Sequence, residues 1–270
     1  MSDNRRVLIT GGGTFLGDNI AAALLAEGVD VTLLVRPGGE EALGPLAQRI
    51  SWQVADVWDS ASLRGRGRGH EVVIHTVGSL VADPIQGLTH HRVNFVTARN
   101  VITMCVSDGV PHMILMSTIN APWMNNRYVR AKREAEEYLE RVGVNGTIIR
   151  APLVYMRGQR RPLFFELVTL LGRIPPLSWT RLGRIASLPV DVLARGVARI
   201  ALEQDRPKTH YYARDLWRKN TKAERAGRTS ASSRFLEAVH DDKSTTQSRV
   251  HPFQLLDDES PFGWQPPDDD

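Results

Sequence analysis

Residue types that can move a proton and stabilise a charge stand close together in the middle of the chain. Tyr128 and Lys132 are four positions apart, and Ser117 and Thr118 precede them in the stretch ILMSTINAPWMNNRYVRAK. On a helix this spacing puts two side chains on one face, one turn apart. A lysine ammonium so placed would lower the pKa of the phenol from about 10 towards working pH. We therefore predict proton-transfer chemistry at Tyr128, assisted by Lys132, although YVRAKREAEEYLE also fits an ordinary amphipathic helix.

A glycine-rich turn near the N-terminus has the composition of a phosphate-binding site. In VLITGGGTFLGDN an apolar run ends at the glycines, and a helix-like segment follows. Glycine permits positive φ and lets backbone N–H groups approach a pyrophosphate, which then lies at the positive end of the helix. We predict that the cofactor is contacted by Gly11, Gly13, Thr14, Phe15, Leu16 and Gly17.

The next apolar run, DVTLLV, is followed by Arg36 and not by an acid. An acid at this place accepts hydrogen bonds from the ribose hydroxyls of NAD and repels a 2′-phosphate, whereas an arginine favours NADP. We therefore predict NADP as the cofactor in preference to NAD, with Arg36 at the 2′-phosphate. The alternative is a solvated arginine in a turn.

The elements that must position these residues alternate along the chain. The short apolar runs RRVLIT, DVTLLV, ISWQV, EVVIHTV, HMILMS and GTIIRA are too continuous for half-exposed strands, which favours parallel strands covered on both faces. The intervening segments have apolar residues at helical spacing, and several end at glycine. The pattern predicts an α/β fold, a Rossmann-type doubly wound parallel sheet with a small substrate-covering region in its C-terminal part.

The order of the motifs resembles that of the extended and atypical short-chain dehydrogenase/reductases, whose turn is usually T-G-x-x-G-x-x-G. Thr10, Gly11 and Gly17 match this turn, but Thr14 occupies the slot of the middle glycine and Gly13 falls one residue early. A β-branched residue does not easily adopt positive φ, so Thr14 marks a modified site. Its hydroxyl could bond a phosphate or cap the helix.

Further motifs follow in the order of the family. ADVWD resembles the acidic motif that lies on the adenine side, and HTVGS resembles the strand end that lies along the cofactor. HHRVNFVTARNVI resembles a helix in which Asn94 has a mainly structural role. The resemblance thus implies cofactor contacts at Asp56, Val57, Thr76, Val77 and Gly78, and it implies that Lys132 holds the nicotinamide ribose while Ser117 polarises a substrate carbonyl.

The connection between Ser117 and Tyr128 is short, with ten residues between them. In this it is more similar to atypical members, including the NADPH-binding accessory subunit of respiratory complex I and a fungal accessory protein of ubiquinone biosynthesis. Two functions follow from the resemblance. One is an NADP-dependent oxidoreductase or epimerase-like enzyme acting on a carbonyl or alcohol of a small molecule. The other is a non-catalytic accessory, structural or sensor subunit that binds NADP(H).

Composition shifts divide the chain into a predicted nucleotide-binding domain, residues 1–205, and a C-terminal extension, residues 206–270. Within the first part, residues 151–185 are predicted to cover the substrate. The extension is polar and partly disordered by prediction, and its last stretch, HPFQLLDDESPFGWQPPDDD, carries aromatics that could anchor it to a protein partner. These aromatic residues are Phe253, Phe262 and Trp264.

The overall composition excludes several classes of protein. With 34 basic and 30 acidic residues the net charge is only +4, so nucleic-acid binding ranks low. A single cysteine, Cys105, cannot form an internal disulfide and fits a reducing compartment, and the chain enters its first strand without a leader, so we expect a cytoplasmic protein. No membrane span and no metal site are expected. The basic cluster of Arg64, Arg66 and Arg68 is a solvated loop or a peripheral contact with anionic lipid.

Overall fold

The structure is a computed structural model that describes residues 5–85, 87–122, 124–157, 187–203 and 208–227. Its centre is a seven-stranded sheet in which every neighbouring pair of strands is parallel. The spatial order is β3-β2-β1-β4-β5-β6-β9. The strands are β1 (Arg6–Gly12), β2 (Asp30–Val35), β3 (Ser51–Val54), β4 (Val72–His75), β5 (His112–Thr118), β6 (Gly146–Ala151) and β9 (His210–Tyr212). The predicted doubly wound parallel sheet is confirmed.

Helices cover both faces of this sheet. The longer ones are α1 (Phe15–Ala26), α3 (Thr97–Asp108), α4 (Asn126–Arg141) and α5 (Val190–Leu202). The shorter ones are α2 (Ser60–Leu63), α6 (Ala213–Arg218) and α7 (Lys222–Arg225), with a 3-10 segment at Glu40–Gln48 and a π-helical turn, Arg92–Val96, leading into α3. A small separate pair joins β7 (Val154–Tyr155) to β8 (Leu188–Pro189).

Each strand supplies side chains to two cores. In β1, Val7 and Ile9 belong to the cluster that includes α1 and α5, whereas Leu8 belongs to the cluster that includes α3 and α4. All three side chains are fully buried. Because successive strand residues point to opposite faces, a strand covered on both sides needs apolar residues without a break. This explains the continuous apolar runs of the sequence.

The chain leaves β1 towards β2 on one side, and β4 lies on the other side of β1. At such a reversal of strand order the loops at the carboxyl ends diverge and leave a crevice that binds ligands in open α/β sheets. The glycine turn follows β1, and the Thr76–Gly78 segment follows β4. The fold therefore brings both predicted cofactor segments to one crevice.

The sheet continues beyond the predicted boundary at residue 205. The stretch YYARDLW contributes β9, which pairs with β6, and α6, which packs on α5. Of the predicted substrate-covering segment, residues 158–185 lie outside the described residues. The aromatic C-terminal stretch, with Phe253, Phe262 and Trp264, also lies outside them.

Among the described residues, no helix is long and apolar enough to span a bilayer. The basic cluster is part of a folded loop: the amides of Gly65 and Gly67 donate to the carboxylate of Asp108, and Arg66 donates to Gln53. Arg68 approaches the same Asp108 to 3.7 Å. Contact of this loop with lipid stays a prediction.

Candidate functional site

The glycine turn is shaped by close contacts that exclude side chains. Gly11 and Gly13 have φ of 88° and 81°. A Cβ added to Gly17 would lie 2.1 Å from the carbonyl oxygen of Gly11, so the first turn of α1 packs directly on the end of β1. The displaced glycine, Gly13, thus carries one of the two positive-φ positions of the turn, and Thr14 does not need one.

Thr14 is the N-cap of α1 and has an ordinary extended conformation, with φ of −97°. Its hydroxyl donates to Gly11 O at 2.6 Å and accepts from Gly17 N at 3.3 Å. Of the two roles predicted for this hydroxyl, the structure places it in helix capping. The expected conflict with positive φ does not arise, because the positive φ lies at Gly13.

Asp18, in the first turn of α1, is a residue that the sequence reasoning missed. Its Oδ1 accepts a hydrogen bond from Gly13 N at 2.8 Å, and the residue is 2% exposed. An acid in the first turn of a helix is a recognisable signal, since the helix dipole favours negative charge there. What the sequence did not reveal is that this acid reaches back to an amide of the glycine turn.

The loop after β2 lies against the glycine turn. The Cβ position of Gly13 is 3.3 Å from Gly39 O, and a Cβ on Gly39 would lie 2.5 Å from the Cγ of Arg36. The half-buried Arg36 side chain is therefore folded over Gly39, next to the turn. Glu40 and Glu41 begin the 3-10 segment that follows.

The segment after β3 is ordered by its own hydrogen bonds. Asp56 Oδ1 accepts from Trp58 N at 2.8 Å, and Asp56 N donates to Ser62 Oγ at 2.9 Å. Burial raises the pKa of Asp56; the bond from Trp58 opposes this rise, and the nearby charge of Asp59 adds to it. Asn100 on α3 donates to the carbonyl oxygens of Val57 and Trp58, both at 3.0 Å. These bonds hold the predicted adenine-side segment against α3.

The segment after β4 packs closely on α4 and on the helical turn before α3. A Cβ on Gly78 would lie 2.3 Å from Lys132 Nζ and 2.7 Å from Asn94 Oδ1, so a larger residue there would displace both polar groups. The amide of Asn94 binds both backbone groups of Ser79, accepting from N and donating to O at 2.9 Å. Thr76 donates its hydroxyl to Thr10 O, which ties β4 to β1.

Tyr128 and Lys132 lie in the first two turns of α4 and face one pocket. Tyr128 is 1% exposed and packs edge-on against His90, with 6.0 Å between ring centroids. Lys132 Nζ donates to the carbonyl oxygens of Val77 and Met116, both at 3.3 Å. The pocket is lined by Leu16, Thr76, Gly78, Met116, Ser117, Tyr128, Lys132 and Ala151.

Ser117 also lines this pocket, but its proton is engaged elsewhere. The hydroxyl donates to the buried carboxylate of Glu136, one turn beyond Lys132 on α4. Arg133 and Arg150 bind the same carboxylate, and Arg150 Nη1 donates to Tyr212 of β9 at 3.0 Å. A hydroxyl that donates to a carboxylate has only acceptor capacity left for a ligand.

His75 stands between the glycine turn and Lys132. It is fully buried, and its Nδ1 is 2.8 Å from the hydroxyl of Thr10. Burial, and secondarily the positive charge of Lys132, lower the pKa of His75 to about 3. The imidazole is therefore neutral at physiological pH.

These residues fit a bound dinucleotide. The missing Cβ atoms of Gly11, Gly17 and Gly78 let the segments after β1 and β4 and the start of α1 pack closely at one edge of the sheet, and α1 begins where a pyrophosphate gains from the helix dipole. Lys132 and Tyr128 line the far end of the same crevice. No group of three or more His, Cys, Asp and Glu side chains in the described part of the chain is arranged to hold a metal ion.

Comparison with known proteins agrees with this geometry. The profile of a family described as NAD(P)H-binding matches residues 11–163. A ceramide reductase from Caulobacter vibrioides is 30% identical over 198 residues, which cover 71% of this chain and 60% of that protein. A UDP-glucose 4-epimerase from Corynebacterium glutamicum is 32% identical over 117 residues, 42% of this chain and 35% of that enzyme.

Solved structures share the fold at lower identity. The Bordetella bronchiseptica enzyme WbmH in complex with NAD⁺ is 19% identical, with a TM-score of 0.56 over 94% of this chain and 89% of that one. The UDP-Glc/GlcNAc 4-epimerase from Campylobacter jejuni is 17% identical, with a TM-score of 0.56 over 79% and 82% of the two chains. The chain spans between about half and 60% of the length of the first two curated relatives it matches.

Proposed function

The chain belongs to the NAD(P)H-binding family, within the short-chain dehydrogenase/reductase superfamily, and from this premise we propose that it is an NADP-dependent oxidoreductase. Its substrate is a small molecule with a carbonyl or alcohol carbon. The observation that carries the proposal is the pocket in which Tyr128 and Lys132 of α4 meet Thr76 and Gly78 of the cofactor crevice.

The chemistry follows from the groups around this pocket. When bound, a nicotinamide dinucleotide supplies a hydride to a carbonyl carbon or accepts one from an alcohol carbon. In the reductive direction Tyr128 gives its phenolic proton to the carbonyl oxygen, and the ammonium of Lys132 stabilises the phenolate that remains. In the oxidative direction the phenolate takes the proton of the alcohol. Ser117 reaches the substrate as a donor only if its hydroxyl turns away from Glu136.

NADP is the preferred dinucleotide in this proposal. Arg36 supports it, because the guanidinium lies beside the glycine turn and can bind a 2′-phosphate in a bidentate manner. Glu40 and Glu41 lie nearby and act against a strongly anionic ligand, so the preference rests on Arg36 itself. The structural neighbour WbmH is in complex with NAD⁺, but this is a property of that enzyme and does not decide the dinucleotide of this chain.

A second function is favoured by one observation. The proton of Ser117 is held by Glu136, which the two arginines also bind, and this arrangement removes the donor that the superfamily resemblance assigns to the substrate carbonyl. The alternative is therefore a non-catalytic accessory or sensor subunit that binds NADP(H). Its aromatic tail at residues 250–270 would then contact a protein partner.

The place of action in this proposal is the cytoplasm. The one cysteine, Cys105, is buried, and burial raises the pKa of its thiol to about 12, so it is an inert core residue and not a disulfide partner. Such usage of cysteine fits a reducing compartment.

A thermal-shift titration tests the cofactor proposal directly. Wild-type protein and Arg36→Ala are titrated with NADPH, NADP, NADH and NAD, because a ligand that binds the folded state raises its melting temperature. We expect the largest shift with NADPH, and a loss of about tenfold in NADPH affinity in Arg36→Ala with little change for NADH. Arg49→Ala, at an exposed position after the 3-10 segment, is the control. Equal shifts for all four dinucleotides with Arg36→Ala unchanged would remove Arg36 from cofactor selection.

A further inference from the structure

Several polar groups of the glycine turn bind one another. Gly13 N donates to Asp18 at 2.8 Å. The Thr14 hydroxyl donates to Gly11 O and accepts from Gly17 N. These internal bonds hold the shape of the turn independently of a ligand.

Asp18 also brings a negative charge to the end of the helix where a pyrophosphate would lie. It is 2% exposed and belongs to the first turn of α1. The positive end of a helix dipole stabilises a carboxylate there, as it stabilises a phosphate. Two anions at one helix terminus repel each other, and the repulsion is stronger where water is excluded. Asp18 therefore stabilises the empty turn and weakens the binding of a dinucleotide.

We propose that Asp18 weakens the hold of the glycine turn on its dinucleotide, so that the dinucleotide leaves after each turnover and is not retained. The proposal rests on the proposed function, since it requires that a nicotinamide dinucleotide binds at the turn. Exchange is what a net reduction or oxidation needs, because the oxidised and reduced dinucleotides must trade places between turnovers. An epimerase-like reaction regenerates its dinucleotide in place and has no such need.

The test is an Asp18→Asn substitution in the full chain. Asparagine keeps the size of the side chain and an oxygen that can accept from Gly13 N, and it removes the charge. We expect the dissociation constant for NADPH to fall about fivefold, mainly through slower dissociation, while the protein without ligand melts at a lower temperature. NADPH fluorescence gives the affinity, and displacement in a stopped-flow instrument gives the dissociation rate.

Asp30→Asn is the matched control. Asp30 is exposed at the first residue of β2, at the opposite end of the same sheet, so this variant makes the same change of net charge away from the turn. It should leave the affinity for NADPH unchanged. Asp18→Ser, also neutral and able to accept a hydrogen bond, serves as a second variant and should tighten binding as Asp18→Asn does.

The content of the purified protein completes the test. When purified wild-type protein is denatured, it should release no stoichiometric amount of dinucleotide. Dinucleotide that co-purifies one to one and resists dialysis overturns the proposal. Asp18 variants that bind NADPH with wild-type affinity also overturn it, and so does a gain in affinity in Asp30→Asn as large as that in Asp18→Asn. If neither wild type nor the Asp18 variants bind any dinucleotide, the proposed function fails together with this inference.

Discussion

Two units of the sheet end in the same crevice, and they are built in different ways. The β1–α1 unit forms its turn from backbone groups at van der Waals contact, with Gly17 against Gly11 O and hydroxyl and carboxylate groups closing the remaining bonds. The β5–α4 unit buries several charged side chains of one helix: Lys132 lies against two carbonyl oxygens, and Glu136 lies between two arginines and Ser117.

The difference separates shape from chemistry. A closely packed backbone turn does not tolerate an added atom, and its backbone groups do not change their protonation. A helix face of charged side chains tolerates substitutions of similar size, yet each substitution changes what the pocket can do to a proton. Substitutions of the closely packed glycines in the first unit should therefore reduce folding and dinucleotide binding together, and those in the second unit should reduce turnover while binding persists.

The largest effect is expected at Tyr128. Tyr128→Phe keeps the buried ring and its contact with His90 and removes the hydroxyl that moves the proton. We expect turnover to fall about a thousandfold, with NADPH affinity unchanged. NADPH consumption is measured with a panel of aldehydes and ketones, alongside NADPH fluorescence titration. Tyr138→Phe, further along α4 and only partly buried, is the control. Full turnover by Tyr128→Phe would favour a non-catalytic role for this face.

Gly17→Ala tests the backbone unit. The added Cβ would meet Gly11 O at 2.1 Å, so α1 must move away from the end of β1. We expect a loss of about 3 kcal/mol in the free energy of unfolding, together with loss of dinucleotide binding. Urea denaturation and thermal shift with NADPH measure the two effects. Gly28→Ala, just beyond the other end of α1, is matched to it: Gly28 has φ of 77° and nothing within 4 Å of the added Cβ. Gly28→Ala therefore measures backbone strain alone, and a loss in Gly17→Ala no larger than this would show that the contact with Gly11 O is relieved at little cost.

His75 joins the two units, and its neutrality predicts a pH dependence of stability. Its pKa is about 3 in the folded protein against 6.5 for the free group. In the unfolded chain His75 therefore takes up a proton below about pH 6.5, whereas in the folded protein it does so only near pH 3. The contribution of the neutral His75 to the free energy of unfolding is thus complete above about pH 6.5 and declines as the pH falls.

The decline at His75 amounts to about 2 kcal/mol between pH 7 and pH 5. Denaturation of wild type and His75→Gln across this range measures it, since glutamine retains a hydrogen-bonding group for Thr10 but does not titrate. The two stability curves should run parallel above pH 7 and converge below it. Parallel curves throughout would show that His75 takes up its proton as readily in the folded protein as in the unfolded chain.

The sheet could be predicted from the sequence because strands covered on both faces need continuous runs of apolar residues. The glycine turn was also predictable, but the behaviour of Thr14 was not, since a β-branched residue in that slot is compatible with strain or with capping until φ is known. The sequence placed Gly13 one residue early, and the structure gives the reason: the positive φ sits there.

The contacts of the α4 side chains at the pocket were harder to predict from the sequence. The spacing of Tyr128 and Lys132 on one face of a helix was visible in the sequence, yet nothing local indicated that Glu136, one turn further along, would accept the hydrogen bond of the Ser117 hydroxyl. That contact depends on Arg150, which arrives from β6 fourteen residues later, and on the depth at which α4 packs on the sheet. Asp18 was similarly visible as a helix-start acid, while its bond to Gly13 depends on the tight path of the turn.

Side-chain contacts connect the outermost strand of the sheet, β9, to the pocket. Tyr212 of β9 accepts a bond from Arg150, Arg150 binds Glu136, and Glu136 holds the proton of Ser117. Mechanically, this is a relay of three side-chain contacts that starts at a sheet edge and ends in the lining of the crevice. We therefore expect a change in the pairing of β9 to alter how firmly the Ser117 hydroxyl is held.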